Sequence, residues 1–370
     1  MNTVARIMSL AALAALAACN EDSTLSPQTD LSLNTSGRTE REISVMTRNM
    51  YIGADVDAAM LALATPDPSD DLPALMVALQ TLQRTDFATR VAAMADEIDR
   101  IRPDVVGLQE VYDLTVIPAW LGLPGDPVQI DFLAALQAAL AARGLGYEVA
   151  ARNTTTDATV AGGAVHIVDH DALLVNPARV TLDGPAVEAV FQANLGPIAP
   201  GVTILRGYVA RPATVGGVQT LLVNAHTESG ADPQIAGLRY YQASELAAFI
   251  GAAPRVVLTG DFNDDASSLM YGALASASLT DTWAALRGDA PGYSCCQAPD
   301  LSNRRSTLSQ RIDFIWTRGF AGPSGRVAGE IDLVSAHPSA LVRGAFGLVW
   351  PSDHAGIVAR LSVPRPFPAS

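Results

Sequence analysis

Short runs of aliphatic and β-branched residues alternate along this chain with segments whose apolar positions recur every three or four residues. The runs predict strands over 43–48, 104–109, 171–175, 204–210, 218–224, 255–260, 312–316 and 355–361. The second pattern predicts helices over 86–101, 129–143 and 236–250. In the first of these, Phe87, Val91, Met94, Ile98 and Ile101 form one apolar stripe, Asp86 is placed to cap the N-terminus, and Pro103 ends the segment. In the second, Phe132, Leu136 and Leu140 form the stripe and Gly144 follows as a C-terminal cap. Such alternation predicts an α/β fold. No internal repeat or central linker divides it. The stretch 56–85 carries Pro66, Pro68 and Pro73 among acidic residues. It reads as a surface excursion inserted after the first strand, with placement over a site as the alternative.

The first residues read as an address. Arg6 precedes an apolar run from Ile7 to Ala18, too short to span a bilayer and of signal-peptide length. It ends in Leu16-Ala17-Ala18-Cys19, which resembles a bacterial lipobox. The resemblance implies cleavage after residue 18 and lipidation of Cys19; a plain secretory signal is the alternative. Asn20, by resemblance to Gram-negative lipoproteins, points to the outer membrane. The expected organisation is a signal peptide over 1–18, the lipidated Cys19 and a polar tether over 19–42, and one domain over 43–370. The expected location is extracytoplasmic, lipid-anchored at the outer membrane or cell surface of a bacterium.

Composition narrows the chemistry. With 370 residues, 49% hydrophobic and 17% charged, the chain is a globular one with a sizeable core. Its formal charge is −14, and its 24 basic residues are all arginine. Loss of residues 1–18 removes Arg6 alone and moves the charge from −14 to −15. Such an acidic chain is no general polyanion binder, because that affinity comes from cations displacing counterions. Three cysteines exclude a disulfide scaffold. Cys295 and Cys296 are neighbours; a bridge between them would be strained, so two small buried thiols are expected.

The polar residues that lack a core role cluster at strand ends. Asn49 follows the first strand. Glu110 ends the second, in Leu108-Gln109-Glu110. His226, in Asn224-Ala225-His226, ends another and is one of only five histidines. Gly260-Asp261-Phe262-Asn263 sends a carboxylate and an amide to one side of an extended segment. Asp313 interrupts the apolar run Arg311-Ile312-Asp313-Phe314 and requires a partner if buried. Ser352-Asp353-His354 offers that partner, since a carboxylate fixes the tautomer of an imidazole and raises its basicity. Acids, amides and imidazoles together suit a hard divalent cation and water activation, and not a cysteine-rich zinc site. Neither a P-loop nor a GxSxG elbow is present.

This ordered set, at these strand ends, resembles the endonuclease/exonuclease/phosphatase superfamily over residues 43–363. The resemblance implies a four-layer α/β/β/α sandwich, two packed mixed β-sheets flanked by helices, with the site at one edge. It implies Mg²⁺-dependent phosphoester hydrolysis, Mn²⁺ being the alternative metal. Carried over, Glu110 binds the metal with Asn49 and Asp353 near it. His354 is the general base and Asp313 orients it. Asp261 and Asn263 position water and phosphate, and His226 contacts the phosphate and protonates the leaving oxygen. Tyr51 stands where abasic endonucleases carry an acid, which argues against that activity. In the cluster His166, Asp169, His170 and Asp171, the resemblance makes Asp169 or Asp171 a partner for His226; an exposed acidic turn is the alternative.

The resulting expectation is a monomeric, membrane-anchored hydrolase acting on a phosphodiester or phosphomonoester, with a lipid headgroup or small organophosphate favoured. A nuclease cleaving extracellular DNA or RNA is the first alternative, nucleic acid then being substrate only. Arg48, Arg206, Arg304, Arg305 and Arg311 are its candidate cations. A non-catalytic surface-binding lipoprotein is the second.

Overall fold

The structure, a computed structural model, describes residues 41–364 except 57, 58, 60, 61, 63, 64 and 66–68. The signal segment, Cys19 and all of the tether but residues 41 and 42 lie outside the described residues. Two six- and seven-stranded mixed sheets pack face to face. The first runs in the order Gly329–Val334, Gly356–Ser362, Glu42–Asn49, Val105–Gln109, Ala172–Val175, Glu148–Arg152. The second runs Val187–Val190, Gly207–Val215, Val218–His226, Val256–Asp261, Asp313–Arg318, Thr280–Asp281, with Val180–Leu182 beside Gly207–Val215. Each contains one parallel pair, Glu42–Asn49 with Val105–Gln109 and Val218–His226 with Val256–Asp261.

Strand alternation builds the layers. Met46, Val106, Leu108, Leu174 and Val358 face outward, where Val91, Met94 and Ile98 of the helix Phe87–Ile101 and Leu136 and Leu140 of the helix Phe132–Ala141 cover them. Their neighbours Val45, Val105, Leu173 and Ile357 face inward against Leu222, Val257 and Ile315 of the second sheet. The outer face of that sheet, with Val223, Leu258 and Phe314, is covered by Ala243 and Leu246 of the helix Pro233–Ile250 and by Leu274 of Leu269–Ser276. The result is the expected α/β/β/α sandwich.

The inward face changes character along each strand. From one end to the other it reads Val45, Thr47, Asn49; Val105, Gly107, Gln109; Leu222, Asn224, His226; and Val257, Thr259, Asp261. The aliphatic end is core. In the middle, Asn224 straps the sheets together: it donates to Leu108 O at 2.8 Å and Ala172 O at 3.2 Å, and accepts from Gln109 Nε2 at 2.5 Å and Thr259 Oγ1 at 3.0 Å. Gly107 makes room for this strap, because a Cβ there would meet Thr259 Oγ1 at 2.1 Å and Asn224 Oδ1 at 2.4 Å.

Three sequence expectations need correction. The predicted strand 204–210 is two strands, Val202–Ile204 and Gly207–Val215, in different sheets. It breaks at Arg206, whose N–H donates to Asn194 Oδ1 instead of a ladder. The predicted helix 129–143 starts later, because Val128–Asp131 pairs with Asp113–Val116 and Asp131 then caps the helix by accepting from Ala134 N at 2.8 Å. Both errors belong to a third, antiparallel sheet that the apolar runs did not announce: Gly196–Ala199, Val202–Ile204, Asp157–Val160, Val165–Val168, Asp113–Val116, Val128–Asp131. Within 56–85, the helix Asp71–Arg84 lays Leu75, Leu79 and Leu82 on this sheet over Leu114, Val160 and Val165. The stretch is therefore the cover of a small satellite core. Finally, Cys295 and Cys296 are joined as a disulfide, with Cys295 buried and Cys296 exposed, so they are not two buried thiols. Cys295 forms an antiparallel bridge with Gln310.

Two stability outcomes follow. Gly107→Ala is expected to destabilise the domain by about 1–3 kcal/mol, as overpacking does, read as a lower urea midpoint; an unchanged midpoint would contradict the close approach of the sheets. At the helix start, Asp86 accepts from Thr89 N, Thr89 Oγ1 and Ala345 N. Burial opposes its charge, but these bonds outweigh it and hold the carboxyl below its ordinary 3.8. Asp86→Ala should cost about 1 kcal/mol at neutral pH. Because the folded value is the depressed one, the difference between wild type and variant should shrink as pH falls through that value.

Candidate active site

The polar ends of the inward faces meet at one edge of the sandwich. Asn49, the last residue of its strand, donates through Nδ2 to Glu110 Oε1 at 2.9 Å and to Asp261 Oδ2 at 3.0 Å, so one amide spans both sheets. Glu110 leaves its strand with a left-handed backbone, φ 55°. That turn aims its carboxylate back at Asn49 and at Ile52 N, which donates to Oε2 at 3.3 Å. Ser352 Oγ donates to Asn49 O at 2.9 Å and accepts from His354 N at 3.1 Å, which pins the Ser352-Asp353-His354 turn to the first strand. Arg48, buried, donates to His354 O and to Glu97. It is a structural cation behind the site.

His354 Nδ1 donates to Asp313 Oδ2 at 2.8 Å, while its Nε2 lies 3.7 Å from Asp261 Oδ2. Asp313 is itself fixed by Ser294 Oγ, which accepts from the Asp313 N–H at 3.2 Å. Burial works against a charged ring, yet the carboxylates of Asp313, Asp353 and Asp261 overcome it and hold His354 well above its ordinary 6.5. Burial, and then the charge of Asp313, pushes the Asp261 carboxyl up to about 7. Asp261 is thus a second group able to exchange a proton near neutrality.

His226 is the opposite case. Burial, the Arg206 guanidinium and then His354 lower it well below 6.5, so the ring is neutral. Arg206 Nη1 donates to Nδ1 at 3.1 Å. Nε2 faces Asn263 Nδ2 at 3.1 Å and Asp261 Oδ2 at 3.9 Å, so each ring nitrogen meets a donor and the neutral ring accepts from one of them at a time. Asp171 Oδ1 lies 3.7 Å from Nδ1, and Asp169 and Glu228 flank Arg206 at 3.5 Å and 3.3 Å. Of the sequence cluster, Asp171 therefore faces His226 and Asp169 faces Arg206. His166 instead pairs with Asp157 at the surface, and His170 with Asp113 and Arg152.

The structure brings all eight candidates to this edge: Glu110, Asn49 and Asp353 on one side, Asp261 and Asn263 in the middle, His226 on the other, and His354 with Asp313 behind. Asn263 turns in with φ 50°, and its N–H donates to Asp261 Oδ1 at 2.9 Å. Sequence reasoning weighed Arg206 only as one of several cations and did not consider Glu228, because neither sits in a recognisable motif. Gln109 and Asn224, part of the motif, serve the strap between the sheets.

The donor set fits a hard divalent cation. Burial drives Asp353 up to about 6 and Glu110 adds to it, and Asp261 is raised as described. Carboxylates are thus crowded at this edge in excess of their cationic partners, and their free ligand atoms are oxygens, which a hard cation takes. Asp261, Asp313 and His354 also offer ligand atoms within 4.8 Å of one another, but the last two are committed to each other through Nδ1.

The model of the Endonuclease/Exonuclease/phosphatase family matches residues 77–354. Similar solved structures include an endonuclease/exonuclease/phosphatase from Beutenbergia cavernae, at 21% identity and TM-score 0.56 over 88% of this chain and 72% of that one. A family protein from Bacteroides thetaiotaomicron reaches 16% and 0.55, over 87% of this chain and 95% of its own. A mannosyl-6-phosphatase of the same species reaches 17% and 0.53, over 86% and 99%. No curated protein matches. At these identities the likenesses show the fold.

The contrast between the two imidazoles is measurable by NMR titration of the cation-free protein. His354 should titrate above 6.5 and His226 should stay neutral down to acid pH. Asp313→Asn removes a carboxylate that stabilises the imidazolium, so it should move the His354 titration to lower pH; a shift upward would contradict the pairing.

Proposed function

Because the chain belongs to the endonuclease/exonuclease/phosphatase family, whose members are hydrolases of phosphoesters, we propose that it is a divalent-cation-dependent phosphoester hydrolase acting outside the cytoplasm on a lipid headgroup or small organophosphate. The observation that carries the reading is the meeting of Glu110, Asn49, Asp261, Asn263, His226 and the His354–Asp313 pair at one edge.

Glu110, with Asn49 and Asp353, would hold Mg²⁺ or Mn²⁺, which supplies charge to the phosphoryl oxygens. His354, after losing its Nε2 proton to solvent, takes a proton from the attacking water at Nε2, and Asp313 stabilises the imidazolium that re-forms. Asp261 and Asn263 orient water and phosphate. Neutral His226 contacts a phosphoryl or leaving oxygen and donates to it when its proton is on Nε2, while Arg206 behind it supplies positive charge. One observation favours a second assignment of the base: Asp261, raised to about 7, stands between the two imidazoles.

The allocation of arginines supports a small substrate over a nucleic acid. Arg48 is paired with Glu97, Arg311 with Asp281 and Arg206 with Asp169 and Glu228. Of the five candidate cations, Arg304 and Arg305 remain as exposed ones, a small footprint for a polyanion. The lipobox-like Cys19 supports a membrane-surface location, near headgroup substrates.

The purified chain should cleave a chromogenic phosphodiester or phosphomonoester, or sphingomyelin, with Mg²⁺ and not with EDTA. Cleavage of plasmid DNA, lost at high salt, would instead establish a nuclease, and no cleavage of any substrate would favour a binding protein. His354→Ala and Glu110→Ala should each lower turnover by about 10²-fold or more with unchanged circular dichroism. Near-wild-type activity in either variant would refute its role. Asp261→Asn with a retained acid limb of the pH profile would favour His354 as base; loss of that limb would favour Asp261.

A further inference from the structure

A second set of ligand atoms gathers beside the first. Cys295 Sγ, Cys296 Sγ and a ring nitrogen of His354 lie within 4.8 Å of one another. The backbone holds the dipeptide against this turn from both sides: Ala355 N donates to Ser294 O at 2.8 Å, and Gln297 N to Asp353 O at 2.8 Å. Cys295 is further tied to Gln310, each N–H donating to the other's carbonyl at 3.0 Å. These bonds, and not the sulfur–sulfur bond, fix the backbone from which the two side chains start beside His354. Cys296 is exposed, which gives reductants and cations access.

We propose that reduced Cys295 and Cys296 form, with His354, a binding site for a borderline divalent cation such as Zn²⁺, and that filling it withdraws His354 from proton transfer. Two thiolates and an imidazole suit zinc and not Mg²⁺. Asp313 accepts the Nδ1 proton at 2.8 Å, as carboxylates do behind zinc-bound imidazoles, so the cation would take Nε2. The site opens when a phosphine or dithiol donates two electrons to the disulfide. The sulfur–sulfur bond breaks and each sulfur takes a proton; a phosphine leaves as its oxide, with oxygen from water, and a dithiol as its own disulfide. Zn²⁺ then releases both thiol protons, and the proton that the His354 imidazolium carries on Nε2, to solvent. The disulfide form has no thiolate to offer, so the site exists only in the reduced protein. Binding stands by itself; the loss of activity rests on the reading of His354 given above.

The test uses the purified chain, reduced with a phosphine, desalted and kept in excess Mg²⁺, and titrated with Co²⁺ as a spectroscopic probe. One equivalent should bind with thiolate-to-cobalt absorption in the near ultraviolet, be displaced by Zn²⁺, and be missing from the oxidised protein and from C296S. His354→Asn should weaken the binding by roughly tenfold or more while keeping the thiolate band. One equivalent of Zn²⁺ should lower the activity of the reduced wild type by about tenfold or more, and leave C296S unaffected. Equal binding by the oxidised, reduced and C296S proteins would overturn the site. Binding with full activity would overturn its link to His354. A thiolate band in a protein inactive on every phosphoester would uphold the site and overturn the proposed function instead.

Discussion

The molecule depends on how two sheets are held together where their facing surfaces stop being apolar. Asn224 does this with four hydrogen bonds, two of them to main-chain carbonyls of the opposite sheet. Buried amides of this kind are costly to leave unpaired, and when satisfied they specify one arrangement. Gly107 allows the approach, and Gln109, Thr47 and Thr259 complete the network. One residue pair beyond this layer lie Asn49, His226 and Asp261. The site is the continuation of the core by the same two-residue period, with aliphatic residues replaced first by neutral polar ones and then by ionisable ones.

The electrostatics follow from that placement. Asp261 and Asp353 are held beside other carboxylates at the edge, and burial with that like charge makes them hold their protons more tightly than in water. The two imidazoles are driven apart by their neighbours. His354 faces three carboxylates and is held charged, whereas His226 faces a guanidinium and is held neutral. Two residues of one type thereby acquire opposite protonation states, which suits them to different roles.

The third sheet borders this edge. Its strand Asp113–Val116 begins three residues after Glu110, and Val165–Val168 ends just before Asp169 and Asp171. Its far face carries a separate apolar cluster under the helix Asp71–Arg84. Glu110, and the acids that face His226 and Arg206, therefore adjoin one common wall, whose shape bears on what the edge accommodates.

The sequence by itself determined the alternation of strands and helices and the identity of the chemical groups, and the sandwich followed from the family resemblance that those groups carry. Long apolar strands such as 255–260 and the striped helix 86–101 are read from local period, because burial on one face or both imposes it directly. The order of Asn49, Glu110, His226, Asp261, Asp313 and His354 at strand ends was legible for the same reason: an ionisable residue interrupting an apolar run has no place in a core. The third sheet was not legible, since its strands span three to four residues, half-exposed, and pair only with each other. Nor were the partners of each group. Whether Asp169 or Asp171 faces His226, that Arg206 stands behind it, that Arg48 is structural, and that Cys295 and Cys296 lie against His354 all depend on residues far apart in the chain meeting across two sheets. Such meetings are set by strand register and sheet packing, which leave no local pattern, and only the tertiary structure decided them.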